Sequence, residues 1–299
     1  MAVAQISPSR PISRRKFLKG SLLTAAGLAV YAGAIERHYI DVTRHDIRIA
    51  GLPAAFEGAR IAQLSDIHID EYTEPLFVEH AVNVINDLNV DFVFLTGDFV
   101  TDGVGSHKFA VGAVWQCANI LRNLNCQRRY AILGNHDVIV GSKVVSTAMK
   151  DNGIPILVNS YTPLERGGSR IWLSGLDDWD TGHPKIDLAI PAAIRGIAEE
   201  PVILLCHEPD YADQVVKTGA AQDVALMLSG HSHGGQVRLP FIGPLILPPG
   251  AKKYVEGWFR FGNMQLYVNR GLGTIGVPFR FDCPPEISVI TLRRAEPVG

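Results

Sequence analysis

The chain has 299 residues, 47% of them hydrophobic and 19% charged, a balance that supports a sizeable core and excludes a disordered chain. The formal net charge is −2, but Arg10, Arg14, Arg15, Lys16 and Lys19 all fall within residues 1–35, which hold no acid; the rest carries 23 basic against 30 acidic residues, near −7. A body that acidic argues against general nucleic-acid binding by phosphate neutralisation, and two bound divalent cations would offset part of the charge.

The first segment reads as a targeting signal. Ser13-Arg14-Arg15-Lys16-Phe17-Leu18-Lys19 matches a twin-arginine export motif, and the moderately apolar stretch 20–35 follows it. Ala32-Gly33-Ala34 offers a small-residue cleavage site. The apolar stretch is shorter than the roughly 20 residues of a full span, yet an uncleaved anchor stays open. The expectation is export by the twin-arginine translocase, which carries folded proteins, to the periplasm or cell envelope. Residues 36–299 form the folded domain.

Alternation predicts a strand over 40–49 and another over 60–64 that ends at Ser65-Asp66. Helical spacing covers 74–88, with Pro75 near its start. The apolar run 91–95 is of buried-strand type and stops at Thr96-Gly97-Asp98. A helix is expected over 107–124, a strand over 129–133 ending at Gly134-Asn135-His136-Asp137, and a helix over 142–150 closed by Asn152-Gly153. Short strands at 156–158 and 171–173 flank an Arg166-Gly167-Gly168-Ser169 turn. A short helix follows at 191–199, a strand at 202–205, a helix at 211–218, and strands at 224–228, 265–268 and 287–292. Strand–helix alternation followed by a strand-rich end suggests two packed mixed sheets with helices outside.

Each of five blocks follows an apolar strand-type run and carries metal-ligand residue types. They supply Asp66 and His68, Asp98, Asn135, His207, and His231 and His233. Seven ligands suit two divalent metals sharing one carboxylate. Such a pair suits phosphate-ester hydrolysis, because one metal activates water while both offset charge on phosphoryl oxygens. The mixed oxygen and nitrogen donors suit Mn, Fe or Zn and do not choose among them. His38, His45, His80, His107 and His183 lack such a context and read as structural or solvent-facing. Cys117, Cys126, Cys206 and Cys283 form no C-x-x-C pair, and Cys206 reads as a small buried hydrophobe.

These blocks, in order from Asp66 to His233, resemble the calcineurin-like metallophosphoesterase family. Gly230-His231-Ser232-His233-Gly234-Gly235-Gln236, Arg238-Leu239-Pro240 and Arg270-Gly271-Leu272-Gly273 narrow the likeness to its exported bacterial branch of YkuE- and YaeI-type phosphodiesterases. The resemblance implies an α/β fold, a four-layer α/β/β/α sandwich of two mixed sheets. It implies that Asp66, His68 and His233 hold one metal, that Asp98 bridges, and that Asn135, His207 and His231 complete the second. It makes His136 a catalytic residue that contacts the phosphoryl group or protonates the leaving group, with Asp137 orienting it. A related branch hydrolyses UDP-diacylglucosamine, so a diphosphatase of that type is an alternative.

The stretch 239–249, from Leu239 to Pro249, is apolar and proline-rich, which excludes a helix or central strand. A buried connection is the plain reading; a rim that meets membrane lipid beside the metals is the functional one. Arg270 and Arg280 flank glycine turns and are candidates for binding a substrate phosphate. The loop Asp177-Asp178-Trp179-Asp180 reads as turn or capping residues. Metal-dependent amide hydrolysis also uses His-x-His pairs, but there the pair belongs to a first strand and here it comes last. A non-catalytic metal-bound scaffold is disfavoured by the intact His136 and full ligand set. The expected activity is hydrolysis of a phosphoester, diester or pyrophosphate, with lipid-linked phosphate a candidate substrate.

Overall fold

The computed structural model describes residues 13–70, 72–102 and 107–295; Arg10 and the side chain of His107 lie outside the description. The chain opens with α1 (Arg14–Val30), where the Ser13 hydroxyl accepts from the Lys16 N–H as an N-cap. The helix continues through a π turn (Tyr31–Ile35) and a 3-10 turn (Glu36–His38). Its 25 residues, 14–38, are long and apolar enough to cross a membrane by length and composition. The helix runs past the apolar stretch 20–35 on both sides, through mostly charged residues.

The body then runs β1 (Asp41–Ile49), β2 (Arg60–Leu64), α2 (Pro75–Asp87), β3 (Phe92–Leu95), α3 (His107–Leu121), β4 (Arg129–Ala131) and α4 (Asn135–Asp151). It continues β5 (Ser160–Arg166), β6 (Ser169–Gly175), α5 (Ile186–Ala189), β7 (Val202–Leu205), α6 (Ala212–Lys217) and β8 (Val224–Ser229). The last elements are β9 (Arg238–Leu239), β10 (Gly243–Pro244), β11 (Gly257–Phe261), β12 (Met264–Val268) and β13 (Glu286–Arg294). One sheet has the order β1-β13-β2-β3-β4 and the other β11-β12-β8-β7-β6-β5. Both are mixed: β2, β3 and β4 are parallel, as are β6, β7, β8 and β12, while β13 lies antiparallel to β2 and β5 and β11 are antiparallel edges.

Strand alternation divides the apolar residues among three cores. Ile61, Phe92 and Phe94 point between the sheets, where they meet Ile203, Leu205, Leu226 and Leu228. Their neighbours Ala62, Val93 and Leu95 point outward onto α2, α3 and α4. On the other sheet Val202, Leu204 and Met227 pack beneath α5 and α6. Three cores separate four layers, the α/β/β/α sandwich expected above.

Several local expectations are corrected. The strand expected at 156–158 is only a bridge between Ala131 and Ile156, and the real edge strand is β5. Apart from the buried Leu164, its side chains alternate between exposed and half-buried with few apolar members, so it carries little hydrophobic signal. The helix expected at 191–199 shrinks to a 3-10 turn, Ala192–Ile194, and α5 precedes it. The edge strand β11 was not anticipated. α4 starts at Asn135, seven residues before the expected Ser142, because Gly141, at φ 134° and ψ 102°, kinks it and hides its first turn.

Candidate metal centre

The carboxyl ends of five parallel strands share one edge of the sandwich, the usual ligand position of such sheets. Asp66 and His68 follow β2, Asp98 follows β3, Asn135 follows β4, His207 follows β7 and His231 follows β8. Backbone bonds lock the first two turns together: Asp66 N–H donates to Gly97 O at 3.0 Å and His68 N–H to Asp98 O at 3.0 Å. The buried Gln63 side chain ties the two sheets at this edge, donating to Thr96 Oγ1 and to Ser229 O.

Asp66, His68, Asp98, His231 and His233 have φ between 49° and 66°. This left-handed conformation strains residues with a Cβ by roughly 1–3 kcal/mol each, and it aims successive side chains toward one point. Two glycines admit the close approach. A Cβ on Gly134 would lie 2.3 Å from Asp98 Oδ1, and one on Gly230 would lie 1.9 Å from Ser65 Oγ.

Three overlapping groups of ligand atoms result among the described residues, Asp66-His68-His233, Asp98-His207-His231 and, between them, His68-Asp98-His136, each with its atoms within 4.8 Å of one another. Asp98 Oδ2 joins them, 3.4 Å from His68 Nε2 and 3.1 Å from His207 Nε2. The facing imidazole nitrogens of His68 and His233 are 3.1 Å apart, and those of His231 and His207 are 3.2 Å apart. Asn135 Oδ1 is buried without a hydrogen-bond partner among the described residues. An orphaned carbonyl oxygen and converging lone pairs fit a bound cation.

The outer nitrogens of three rings have partners that fix their tautomers. His207 Nδ1 donates to Thr96 O at 2.7 Å, and His231 Nε2 to Pro249 O at 2.7 Å. His68 Nδ1 meets Thr101 Oγ1 at 3.3 Å, and that hydroxyl donates to Asp70 Oδ2 at 2.8 Å. In His68 and His231, both lowered by burial, the inward nitrogen keeps its lone pair; in His207 it is the nitrogen that faces Asp98. Sequence reasoning missed Thr96, Asp70 and Thr101; the position of Asp70 two residues beyond His68 was the available signal.

The electrostatics favour cation binding. Burial pushes His68 well below the ordinary histidine value, against the pull of Asp98. Burial, aided by the Arg280 charge, does the same to His233, and burial with the His207 charge lowers His231. Burial would raise the Asp98 carboxyl, but His207 and His68 outweigh it and hold it well below the usual carboxylate range. Burial would likewise lower His207, and Asp98 overrides it so that His207 is raised well above its ordinary value.

His136 stands at the rim of this cluster, its ring edge-on to His68 with centroids 5.0 Å apart. Its Nδ1 accepts from the Asp102 backbone N–H at 2.9 Å, which leaves the ring proton on Nε2. Asp137 does not orient it. Both Asp137 oxygens accept backbone N–H groups, from Asp98 at 2.8 Å, Phe99 at 2.9 Å and Gly134 at 3.0 Å, so Asp137 braces the Asp98 turn. Nor do the two arginines offer a phosphate site. Arg280 is fully buried and spends its guanidinium on the carbonyls of Gly273, Cys283, Arg270 and Gly271. Arg270 is paired with Asp41 at 2.7 Å and Glu286 at 3.2 Å. Next to His207, Glu208 accepts from the N–H groups of Trp179 and Asp180. Burial and Asp178 raise the Glu208 carboxyl well above its usual range, and its two accepted bonds hold the loop that the sequence marked as a turn.

An open groove of about 640 Å³ leads from His68, Asp98, Asn135, His136, His231 and His233 to an apolar wall that includes Leu245, Ile246 and Phe279.

The calcineurin-like phosphoesterase model matches residues 59–235, which contain every ligand candidate. An uncharacterized metallophosphoesterase of Bacillus subtilis, YkuE, is 37% identical over 95% of this chain and 99% of its own length. The phosphodiesterase YaeI of Escherichia coli is 29% identical over 94% of this chain and 99% of its own. Among solved structures, a dimetal phosphatase from Danio rerio superposes with TM-score 0.48 at 11% identity, over 79% of this chain and 99% of that one. The family is dimetal-dependent, and the two triads joined at Asp98 are what that chemistry requires. On the extent of these matches the chain belongs to the calcineurin-like phosphoesterase family and is a metal-dependent phosphoester hydrolase.

Proposed function

We propose that the protein is an exported dimetal phosphodiesterase or pyrophosphatase that acts on lipid-linked phosphate at the cell envelope. The observation that carries the hydrolytic part is the carboxylate of Asp98 between two metal-ready triads, with a protonated His136 Nε2 at their rim. Asp66, His68 and His233 would hold one cation, Asn135, His207 and His231 the other, and Asp98 would bridge. Cations bound there, as Mn, Fe or Zn, would supply water activation at neutral pH and would offset phosphoryl charge. The chain's residues do the rest. His136 Nε2–H donates to a phosphoryl oxygen or to the departing oxygen, and Asp137 and Thr101 keep Asp98 and His68 in place.

The lipid-linked part rests on the apolar wall of the groove and on the hairpin β9–β10. At its tip Phe241 is fully exposed and Ile242 mostly so, which suits contact with a lipid surface. Export by the twin-arginine translocase rests on Arg14-Arg15 and the apolar helix behind them.

The test is turnover of bis-p-nitrophenyl phosphate beside p-nitrophenyl phosphate, with Mn²⁺ or EDTA, and with Asp98→Asn as control. Metal-dependent diester turnover, absent from the variant, is expected. Two bound metals with no turnover of either ester would overturn the phosphodiesterase reading and leave a pyrophosphate substrate or a scaffold role.

A further inference from the structure

The end of the N-terminal helix is built into the folded domain. Ala32 is buried and its carbonyl accepts from the Arg280 backbone N–H at 3.1 Å. Gly33 lies so close to Phe279 that a Cβ there would be 2.8 Å from the ring. Glu36 is buried and accepts from the Cys283 N–H at 2.7 Å, while Arg37 and His38 both bind Glu74. A peptidase acting after Ala34 needs an accessible extended segment. Here Ala32-Gly33-Ala34 is helical and tied to the body at Ala32 and Gly33.

The same helix forms part of the groove. Leu28, Ala29 and Ala32 line it together with Leu245, Ile246 and Phe279, continuous with the metal-ligand cluster. Beyond the groove α1 is exposed on every side, with Phe17, Leu18, Leu22 and Leu23 all uncovered. The 18 residues from Arg14 to Tyr31, ahead of the buried Ala32, extend about 27 Å, close to the roughly 30 Å of a bilayer's hydrocarbon core. Arg14, Arg15, Lys16 and Lys19 gather at its start, so the basic end stays inside and the domain lies outside. The exposed Phe241, Ile242 and Ile246 lie on or next to the hairpin beside the groove.

We propose that α1 is a retained membrane anchor whose last turns form one wall of the catalytic groove, so that the groove opens at the bilayer and receives the acyl chains of a membrane phosphodiester. This rests on the phosphodiesterase reading above. It adds a substrate class, an amphiphilic phosphodiester drawn from the bilayer, and a role for residues 28–38 beyond targeting.

Two measurements on the full chain test it. Intact mass and N-terminal sequencing of the exported protein are expected to show a membrane-bound chain that still contains Arg14–His38; a soluble chain beginning at Ile35 overturns the retained anchor. The second is kcat/KM for one diester head group carrying butyl, octyl or hexadecyl chains, in mixed micelles. It is expected to rise about tenfold or more with chain length, as apolar contact area accrues, and Ala29→Trp, which narrows the groove, should flatten that rise. Turnover without chain-length dependence overturns the groove assignment and leaves the hydrolase reading intact; no turnover of any diester removes both.

Discussion

The Asp102 backbone N–H donates to His136 Nδ1 at 2.9 Å, and this one bond settles which ring nitrogen can give a proton to substrate. A backbone N–H only donates, so Nδ1 accepts and Nε2 carries the hydrogen. General-acid help matters most when the departing oxygen is basic. His136→Ala should therefore lower kcat by about 10²–10⁴-fold on an alkyl phosphodiester, and much less on a p-nitrophenyl ester, whose leaving group departs without a proton. Equal losses on both would count against the acid role.

Thr101 connects His68 to Asp70 through one hydroxyl. Thr101→Val keeps the shape and removes the relay, which leaves His68 free to adopt the wrong tautomer. Metal affinity should fall about 10–100-fold, as read by competition with a chelator. Unchanged affinity would show that the relay does not set the ligand.

Metal loading should release a proton. Asp98 holds His207 charged in the metal-free chain, well above its ordinary value of 6.5. The sign follows from the upward shift. This pair stabilises the metal-free fold fully below about 6.5, and the contribution is lost as pH rises through the raised value. Cation binding has the opposite trend, because the ligand must lose that proton, so affinity falls as pH drops. Calorimetry near pH 7.5 in buffers of differing ionisation heat should report about one proton released at this site. Zero release would refute the assignment.

Arg280 spends its buried guanidinium on four backbone carbonyls. Arg280→Met should destabilise the fold by about 3 kcal/mol or more, since several buried carbonyls lose their donors at once. The signature is a lowered melting temperature, with KM for a soluble diester nearly unchanged in the protein that remains folded. A raised KM at unchanged stability would restore the phosphate role.

The hairpin tip gives a separate reading of membrane contact. Phe241→Ser with Ile242→Ser removes two large exposed apolar side chains. Turnover of a diester displayed in vesicles should drop about tenfold relative to the same diester in detergent micelles, since each side chain loses apolar transfer energy. An unchanged ratio would take the hairpin out of the lipid contact.

The residues from Asp66 to His233 were legible in the chain because each ligand follows a short apolar run, and such runs end at a common sheet edge. The same alternation gave two sheets and outer helices, since period-2 burial is a local property. β5 and β11 were not legible, because edge strands half exposed to solvent keep no continuous apolar signature. The beginning of α4 was hidden by the kink at Gly141. Which groups hold His136, whether Arg280 faces substrate or backbone, and where the end of α1 docks all depend on contacts between residues far apart in the chain. Asp102 and His136 are 34 positions apart, and Glu36 and Cys283 are 247. Residue type and spacing determined the chemistry this chain carries. Only the packed tertiary structure decided which atom faces which, because hydrogen-bond direction and burial are set by neighbours that sequence order does not bring together.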